Sequence, residues 1–386
     1  MEYIDLKAQY KYLKDEIDQN IQEVINGADF ILGDKINKFE QELADYIGVK
    51  HVVTCSDGTA ALQLIYMANH IGYRDAVFCP DMTFIASIEP ACLLGATPVF
   101  CEIDEVTYNI DPKSLERQIG RVIKEGKLRP KAVVTVDFLG NPADYKEIRR
   151  ITDKYGLLLI EDAAQGMGAS YWGKKCGSLG DISATSFFPS KPLGCYGDGG
   201  AVFTNDDGMD ELLRSLRVHG KGKTKYDNIH IGINSRLDSI QAAVLLPKLH
   251  ALEEEIAARQ MIARYYTDAL SEYIKVSYVS ENNISSYAQY VLQAETSAQR
   301  EKLQRVLYEN DIPSIRYYPT PMHLLPVFQG IETYGESYAI TERYAECSFG
   351  IPFSAYLEEK DMRKVVDNIV RALSEGKKKD ECAIKK

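Results

Sequence analysis

Tryptophan, histidine and positive charge are scarce in this sequence of 386 residues. It contains one Trp and six His, and acidic residues outnumber basic ones to give a formal net charge of −11. A chain with this balance has no excess of cations to displace the counterions of a nucleic acid, which argues against general nucleic-acid binding. The balance still allows a local basic pocket for a phosphorylated ligand.

Paired cysteine motifs are also missing. The eight Cys form neither a CxxC pair nor another spacing typical of metal ligands, so we predict no metal site. Several lie in apolar surroundings, such as Cys101 directly after Val99 and Phe100. This pattern favours free thiols in a reducing compartment, and we expect a cytoplasmic protein.

Long hydrophobic runs are absent as well. No stretch approaches the roughly 18 uninterrupted apolar residues that are needed to cross a bilayer. The acidic segment 1–5 lacks a basic region followed by an apolar one. The sequence therefore predicts neither a membrane span nor a signal peptide.

The residues that are present indicate an α/β protein of two domains. The length exceeds that of an ordinary domain, and 45% of the residues are hydrophobic. Short apolar runs alternate with amphipathic stretches over the first two-thirds, as in βαβ units with a mainly parallel sheet. We predict a large domain over 1–250, including an N-terminal arm, and a smaller α+β domain over 251–386.

The apolar pattern also predicts individual elements. Strands are predicted in the first domain at 76–79, 98–101, 132–136 and 157–160, with a hairpin at 196–203. Helices are predicted at 83–94, with a kink or break at Pro90, at 143–155, and at 238–274, kinked or divided at Pro247. Beyond that helix, we predict strands at 276–279 and 289–292 and helices at 300–310 and 358–373. The charged run 377–381 predicts a frayed end.

Asp162 and Lys191 are the candidate catalytic residues. Asp162 follows the strand 157–160, and ligands of open α/β sheets bind at the carboxyl ends of strands. A carboxylate there can pair with the pyridinium nitrogen of pyridoxal phosphate (PLP), although a helix N-cap is the alternative. Lys191 lies among Phe, Pro and Leu, where desolvation favours the neutral amine that a Schiff base requires. The alternative for Lys191 is a surface lysine with a buried stem.

A phosphate site and an aromatic contact complete the candidate PLP site. Gly58 and Thr59 lie at the start of a predicted helix, where free backbone N–H groups suit a dianionic phosphate. A capped helix that binds nothing is the alternative. Phe84 is a candidate to stack on the pyridine ring, or else a core residue.

Six segments, in this order over nearly the whole chain, resemble the sugar aminotransferases of the DegT/DnrJ/StrS group. They are 58–62, 160–165, 186–194, 197–200, 232–243 and 318–324. This group belongs to the fold-type-I PLP enzymes. The resemblance implies an aspartate-aminotransferase-like large domain with a mainly parallel seven-stranded sheet, followed by a small α+β domain.

The resemblance also implies roles for individual residues. Lys191 would bind the cofactor covalently and move a proton, while Asp162 would hold the ring nitrogen and Gln165 the 3-hydroxyl. Residues implied in phosphate binding are Gly58, Thr59, Ser186 and, from the second subunit of a homodimer, Asn234. Tyr318 and His323 would face the sugar. One departure is Asp57, since an anion beside a phosphate is unfavourable unless it points away.

The implied reaction transfers an amino group from L-glutamate to a nucleotide-linked keto-sugar. The segments 186–200 and 231–238 look most like the branch that acts on UDP-linked 3-keto uronic acids, and this suggests UDP-2-acetamido-2-deoxy-3-keto-glucuronate. Arg236 would then pair with the uronate carboxylate, with His323 second, and an interface salt bridge is the alternative for Arg236. The other functions considered are amination of a 4-keto-6-deoxy sugar, a PLP sugar dehydratase, in which histidine replaces the lysine, and a non-catalytic regulator.

Overall fold

The computed structural model describes residues 1–224 and 226–384, the last ten of them, 375–384, by their backbone. The α-helices are α1 (Leu6–Gly27), α2 (Asp34–Ile47), α3 (Gly58–Ala68), α4 (Glu89–Leu93), α5 (Pro112–Glu125), α6 (Tyr145–Tyr155), α7 (Asp207–Leu216), α8 (Ser239–Leu270), α9 (Ser297–Glu309), α10 (Ala339–Cys347) and α11 (Glu359–Ile384). The strands are β1 (His51–Cys55), β2 (Asp75–Pro80), β3 (Thr97–Cys101), β4 (Arg129–Val136), β5 (Leu158–Asp162), β6 (Ser170–Tyr171), β7 (Lys174–Lys175), β8 (Ile182–Ser186), β9 (Gly200–Thr204), β10 (Lys275–Val276), β11 (Asn283–Ile284), β12 (Tyr290–Gln293) and β13 (Ser348–Ile351). Short 3₁₀ helices lie at Ile85–Ser87, Phe138–Gly140, Met322–Leu324 and Pro326–Phe328.

Seven strands form the central sheet, in the order β1-β9-β8-β5-β4-β2-β3. Strand β9 pairs antiparallel with both of its neighbours, and the pairs from β8 to β3 are all parallel. Alternate residues of a strand point to opposite faces of the sheet. Val133 of β4 packs in the apolar cluster on one face, and Val134 packs in the cluster on the other. The predicted mainly parallel seven-stranded α/β fold is confirmed, and its parallel strands direct their carboxyl ends to one edge.

Helix α8 connects two apolar cores. Leu245 and Ile256 pack with α2, whereas Ile262 and Leu270, nearer the end of the helix, pack with β12, β13 and α11. The helix runs through Pro247 as one element, so the proline does not divide it. The predicted domain boundary at residue 250 falls inside this continuous helix. No break in the chain marks it there, and the boundary stays a prediction.

Most predicted elements of the first domain are found, with two exceptions. Strands at 76–79, 98–101 and 132–136 and the helix at 143–155 are confirmed. The helix predicted at 83–94 is broken at Ile88, and Pro90 lies in the first turn of its second piece. The hairpin predicted at 196–203 is wrong, because β9 begins at Gly200 and pairs with β8.

The predicted second-domain elements are shifted rather than absent. Only Lys275–Val276 forms the strand predicted at 276–279, and that predicted at 289–292 is β12. Helix α11 continues in its backbone through 377–381, where a frayed end was expected, and the side chains there lie outside the described residues. Within the described chain, no helix is both long and apolar enough to cross a membrane.

Candidate active site

A cleft of about 480 Å³ opens where β5 and β8 end. The predicted residues that line it are Gly58, Thr59, Phe84, Asp162, Gln165, Ser186, Lys191 and Tyr318. The other lining residues are Asp57, Leu62, Thr83, Ala86, Ser87, Ala164, Phe188, Ser190, Asp198, Gln289 and Tyr317. Residues more than 250 positions apart in the chain therefore meet in one cleft.

Asp162, the last residue of β5, is buried and held by two hydrogen bonds. Its Oδ2 accepts from the Ser87 hydroxyl at 2.7 Å, and its Oδ1 accepts from the Ala164 N–H at 3.1 Å. Burial raises the pKa of this carboxyl, while the Ser87 bond, the Ala164 bond and the charge of Lys191 act to lower it. The chain continues as a turn after Asp162, so the carboxylate does not cap a helix.

Ser87 is a site residue that sequence reasoning missed. Its hydroxyl also pairs with that of Thr83 at 2.8 Å, and its carbonyl oxygen accepts from the Tyr66 hydroxyl at 2.6 Å. These contacts fix the donor that orients Asp162. No local pattern could have revealed Ser87, since its partner lies 75 residues away in the chain.

Lys191 lies on the loop between β8 and β9, where it is partly buried and lines the cleft. Burial lowers the pKa of this amine, and the nearby carboxylate of Asp162 acts in the opposite direction. The backbone N–H of Lys191 donates to the Phe188 carbonyl at 2.8 Å, which fixes the turn that carries the side chain. Lys191 is therefore not a surface lysine, and its desolvation favours the neutral, nucleophilic form.

The start of α3 forms a cup beside the end of β8. A Cβ on Gly58 would lie 2.7 Å from the Cβ of Ser186, so only glycine allows this approach. The first amides of the helix, those of Gly58 and Thr59, have no intrahelical partners, and they provide the positive helix end that favours an anion. Asp57 turns onto its own helix, where Oδ1 accepts from the Ala60 N–H at 2.7 Å.

Gln165 has its amide oriented by the backbone of the neighbouring loop. The Leu139 N–H donates to its Oε1 at 2.9 Å, and the Ser286 hydroxyl donates to its backbone carbonyl at 2.6 Å. Because Oε1 is used in this way, the Nε2 group remains as a donor on a side chain that lines the cleft. The Nε2 group of Gln165 could therefore donate a hydrogen bond to an oxygen substituent of a ring bound in the cleft.

Two aromatic side chains form part of the cleft wall. Phe84 is 54% exposed, and its ring centroid lies 5.8 Å from that of Tyr318. Phe84 is therefore not a core residue but an accessible ring at the mouth of the cleft. Tyr318 packs on its other side against Phe138, with 6.2 Å between the ring centroids.

His323 does not contact the cleft as the sequence predicted. Its Nδ1 lies 2.5 Å from Oδ2 of the buried Asp81, its Nε2 lies 3.4 Å from a carboxylate oxygen of Glu342, and its ring stacks on Tyr338. Burial raises the pKa of Asp81 to about 6, with His323 acting against this shift, and the two carboxylates raise that of His323 although burial acts to lower it. Both ring nitrogens face carboxylates, so the predicted sugar contact of His323 is not found in the described residues.

Asn234 and Arg236 also lie outside the cleft of this chain. Asn234 is exposed and pairs with Val218 in an isolated β-bridge. Within the described residues, the guanidinium of Arg236 has neither a hydrogen bond nor an ion pair. The predicted roles of both residues therefore depend on a second copy of the chain.

A family model matches this chain over residues 11–370 and is described as the DegT/DnrJ/EryC1/StrS aminotransferase family. The chain belongs to this family. Its members are sugar aminotransferases that depend on PLP, so the predicted activity class and cofactor are confirmed.

Individual relatives cover nearly the whole length. The chain is 45% identical over 327 residues to the UDP-2-acetamido-2-deoxy-3-oxo-D-glucuronate aminotransferase of Pseudomonas aeruginosa, which covers 84% of this chain and 88% of that protein. It is 38% identical to a pleiotropic regulatory protein of Geobacillus stearothermophilus, over 95% of this chain and 96% of that one. A solved DegT/DnrJ/EryC1/StrS aminotransferase from Brucella abortus superposes with a TM-score of 0.95 at 43% identity, covering 97% and 99% of the two chains.

The residues of the cleft fit PLP. The close approach of Gly58 to Ser186 leaves a cup of backbone amides for a phosphate, and Asp162 offers a buried carboxylate to a pyridinium nitrogen. Bound PLP supplies an electron sink for carbanion chemistry. Lys191 would supply the amine that holds the cofactor and carries a proton, and its lowered pKa would be an advantage for both roles near neutral pH.

Proposed function

We propose that this aminotransferase transfers the amino group of L-glutamate to the 3-keto group of UDP-2-acetamido-2-deoxy-3-keto-glucuronate. The observation that carries the proposal is the 45% identity to an aminotransferase named for that substrate, in a chain whose cleft retains Lys191 and Asp162. A dehydratase is disfavoured because Lys191 is present. A purely regulatory role would leave the desolvated Lys191 and the hydrogen-bonded Asp162 unexplained.

The side chains of the cleft divide the work of such a reaction. Lys191 removes a proton from the bound amino donor and returns one to the sugar carbon in the second stage. Asp162, oriented by Ser87, keeps a negative charge at the inner end of the cleft. Phe84 and Tyr318 provide an apolar part of the cleft wall against which a substrate can pack.

Recognition of the uronate carboxylate requires a cation that this chain alone does not place in the cleft. Among the described lining residues, Lys191 is the basic side chain, and it is needed for chemistry. Arg236 has a guanidinium without a partner in the described chain, on a segment that packs against the N-terminal region through the Ile31–Asp238 bridge. Arg236 from a second subunit would pair with the carboxylate, and Asn234 would reach the phosphate.

An exposed apolar surface supports the homodimer. Ile229 and Ile231 are 60% and 90% exposed, and the neighbouring N-terminal segment exposes Phe30 and Ile31. Burial of such side chains against a second copy is favourable, by about 25 cal/mol for each Å² of apolar surface. The cytoplasm is the proposed location, since the seven described cysteines are free thiols, as in a reducing compartment.

A substrate panel tests the proposal directly. The purified protein is loaded with PLP, given L-glutamate, and incubated with nucleotide keto-sugars that include the UDP-3-keto uronate and dTDP-4-keto-6-deoxyglucose. We expect an aminated product by mass spectrometry with the uronate and a much lower kcat/KM with the dTDP-sugar. A preference for the dTDP-sugar would contradict the proposed substrate, and no product from any keto-sugar would contradict the function.

A further inference from the structure

Gln289 is a buried side chain in the cleft whose carboxamide has no partner. It is 7% exposed and lines the cleft together with Lys191 and Asp162. Within the described residues its carboxamide makes no hydrogen bond, and its Oε1 is fully inaccessible to solvent. A buried amide left unpaired is unfavourable, so a ligand or a water molecule is expected to bind it.

The backbone around Gln289 is rigid and is connected to the Gln165 site. Ser286 donates to the Gln165 carbonyl, and Arg259 Nη1 donates to the Tyr287 carbonyl at 3.0 Å. A Cβ on Gly140 would lie 2.8 Å from the backbone N of Ala288, so the loop after β4 presses directly on this segment. Gln289 therefore keeps a fixed position relative to Gln165.

A small cavity lies beside the Gln289 side chain. Gln289 and Asn141 both line this space of about 10 Å³, which is room for one water molecule. The Nδ2 of Asn141 donates to the Tyr278 carbonyl at 3.0 Å, and its Oδ1 is buried without a partner. One water can donate to both Oδ1 of Asn141 and Oε1 of Gln289, which leaves the Nε2 of Gln289 for the cleft.

We propose that Gln289 is a substrate-binding residue whose Nε2 donates a hydrogen bond to an acceptor oxygen of the bound substrate. This inference rests on the proposed function and names one more contact within the same cleft. The acceptor chemistry is shared by a carboxylate of the amino donor and by the oxygens of the keto-sugar. Both substrates occupy the cleft in turn, so the test treats them separately.

The two half-reactions show which of the two substrates provides the acceptor oxygen. Gln289→Met, which conserves volume and removes the donor, is compared with wild type for glutamate alone and for the keto-sugar with the aminated enzyme. We expect KM to rise about tenfold for at least one substrate, while the cofactor's visible absorbance is retained. Unchanged KM for both substrates, or a loss confined to kcat or to cofactor retention, would overturn the proposal.

Two further variants separate binding from packing. Asn141→Ala removes one acceptor of the bridging water without touching the cleft lining, so it should raise the KM of the same substrate by a smaller factor than Gln289→Met does; a rise equal to that of Gln289→Met would overturn the proposal. Gln289→Glu keeps the volume and, when ionised at about pH 8.5, offers no donor. It should raise KM as Gln289→Met does, and wild-type KM values would overturn the proposal.

Failure of the wild type to aminate any keto-sugar would contradict only the proposed function, because the glutamate half-reaction still tests Gln289.

Discussion

Asp162 and Lys191 each reduce the cost of burying the other. Burial raises the pKa of the Asp162 carboxyl and lowers that of the Lys191 amine, so each group alone would tend to become neutral. Their mutual attraction opposes both shifts. The hydrogen bonds that Asp162 accepts from Ser87 and Ala164 favour its ionised form further. Burial remains the largest influence on both groups, so the pKa of the Asp162 carboxyl is raised and that of the Lys191 amine is lowered.

Replacing Asp162 by asparagine should therefore act on catalysis more than on folding. Asp162→Asn keeps the shape but removes the charge that holds a proton on the cofactor's ring nitrogen, so we expect kcat to fall by orders of magnitude. Ser87→Ala is the matched control: it keeps the carboxylate, loses one hydrogen bond, and should cost roughly ten- to hundredfold at most. Rates of Asp162→Asn near those of wild type, with the cofactor fully loaded, would show that this charge is dispensable.

At the scale of elements, apolar runs predicted the parallel strands, whereas contacts distant in sequence decided the exceptions. The hairpin expected at 196–203 fails because Tyr196 donates to the Gln241 side chain of α8 rather than to a strand. Gly200 begins β9 where a Cβ would lie 2.4 Å from the carbonyl of Asp57. Both constraints come from elements outside the segment, which a local pattern does not contain.

In the candidate site too, some residues were predictable from local sequence patterns, whereas others depend on contacts distant in sequence. Asp162, Lys191 and Gly58 were predictable because strand ends, apolar surroundings and a glycine at a helix start are local signals. Ser87 and Gln289 were not predictable, since their roles depend on what faces them across the cleft. The contact of His323 with the buried carboxylate of Asp81 was not predictable either, since only the folded chain brings the two together, and the sugar contact of His323 stays a prediction.

Strands β4 and β5 bring two carboxyl groups together behind the site. Ligand atoms of Asp137, Glu161 and Cys176 all lie within 4.8 Å of one another, and all three residues are buried. Glu161 accepts hydrogen bonds from Gly177 N, Leu179 N, Gly180 N and the Ser183 hydroxyl. Oδ2 of Asp137 is buried and has no hydrogen-bond partner when the carboxyl group is ionised. When Asp137 is protonated, the same oxygen can donate a hydrogen bond to Glu161. Burial first, and then the charge of Glu161, raises the pKa of Asp137 well above its usual range.

This pair predicts a pH-dependent effect of Asp137→Asn on stability. The folded wild type keeps a proton that the unfolded chain releases above about pH 4, so wild-type stability falls as pH rises towards the folded pKa. Asparagine donates to Glu161 without titrating, so the free energy of unfolding of the variant relative to wild type should increase between about pH 5 and about pH 8. Urea unfolding at several pH values measures this difference, with the exposed Glu211→Gln as control. Parallel pH curves for wild type and Asp137→Asn would refute the shared proton.

At the scale of the whole molecule, the chain exposes apolar residues on the segment that also carries Asn234 and Arg236. The segment that carries Ile231 is tightly packed at its base, since a Cβ on Gly232 would lie 2.2 Å from the backbone N of Gly220. Ile231 itself is 90% exposed. We propose that this apolar side chain, next to Asn234 and Arg236, is buried against a second copy, so that each subunit completes the cleft of the other.

Shared cleft completion predicts that two inactive variants restore one active site. Lys191→Ala removes the amine, and Asn234→Asp places an anion where the second subunit would meet the phosphate; each homodimer should be inactive. In a heterodimer isolated through two different affinity tags, one cleft combines the intact Lys191 of one chain with the intact Asn234 of the other. We expect about half of the wild-type activity per dimer. The control pairs Asn234→Asp with a chain carrying both substitutions, which leaves no intact cleft and should stay inactive. A heterodimer as inactive as this control, or a fully active monomer in sedimentation, would show that each chain builds its cleft alone.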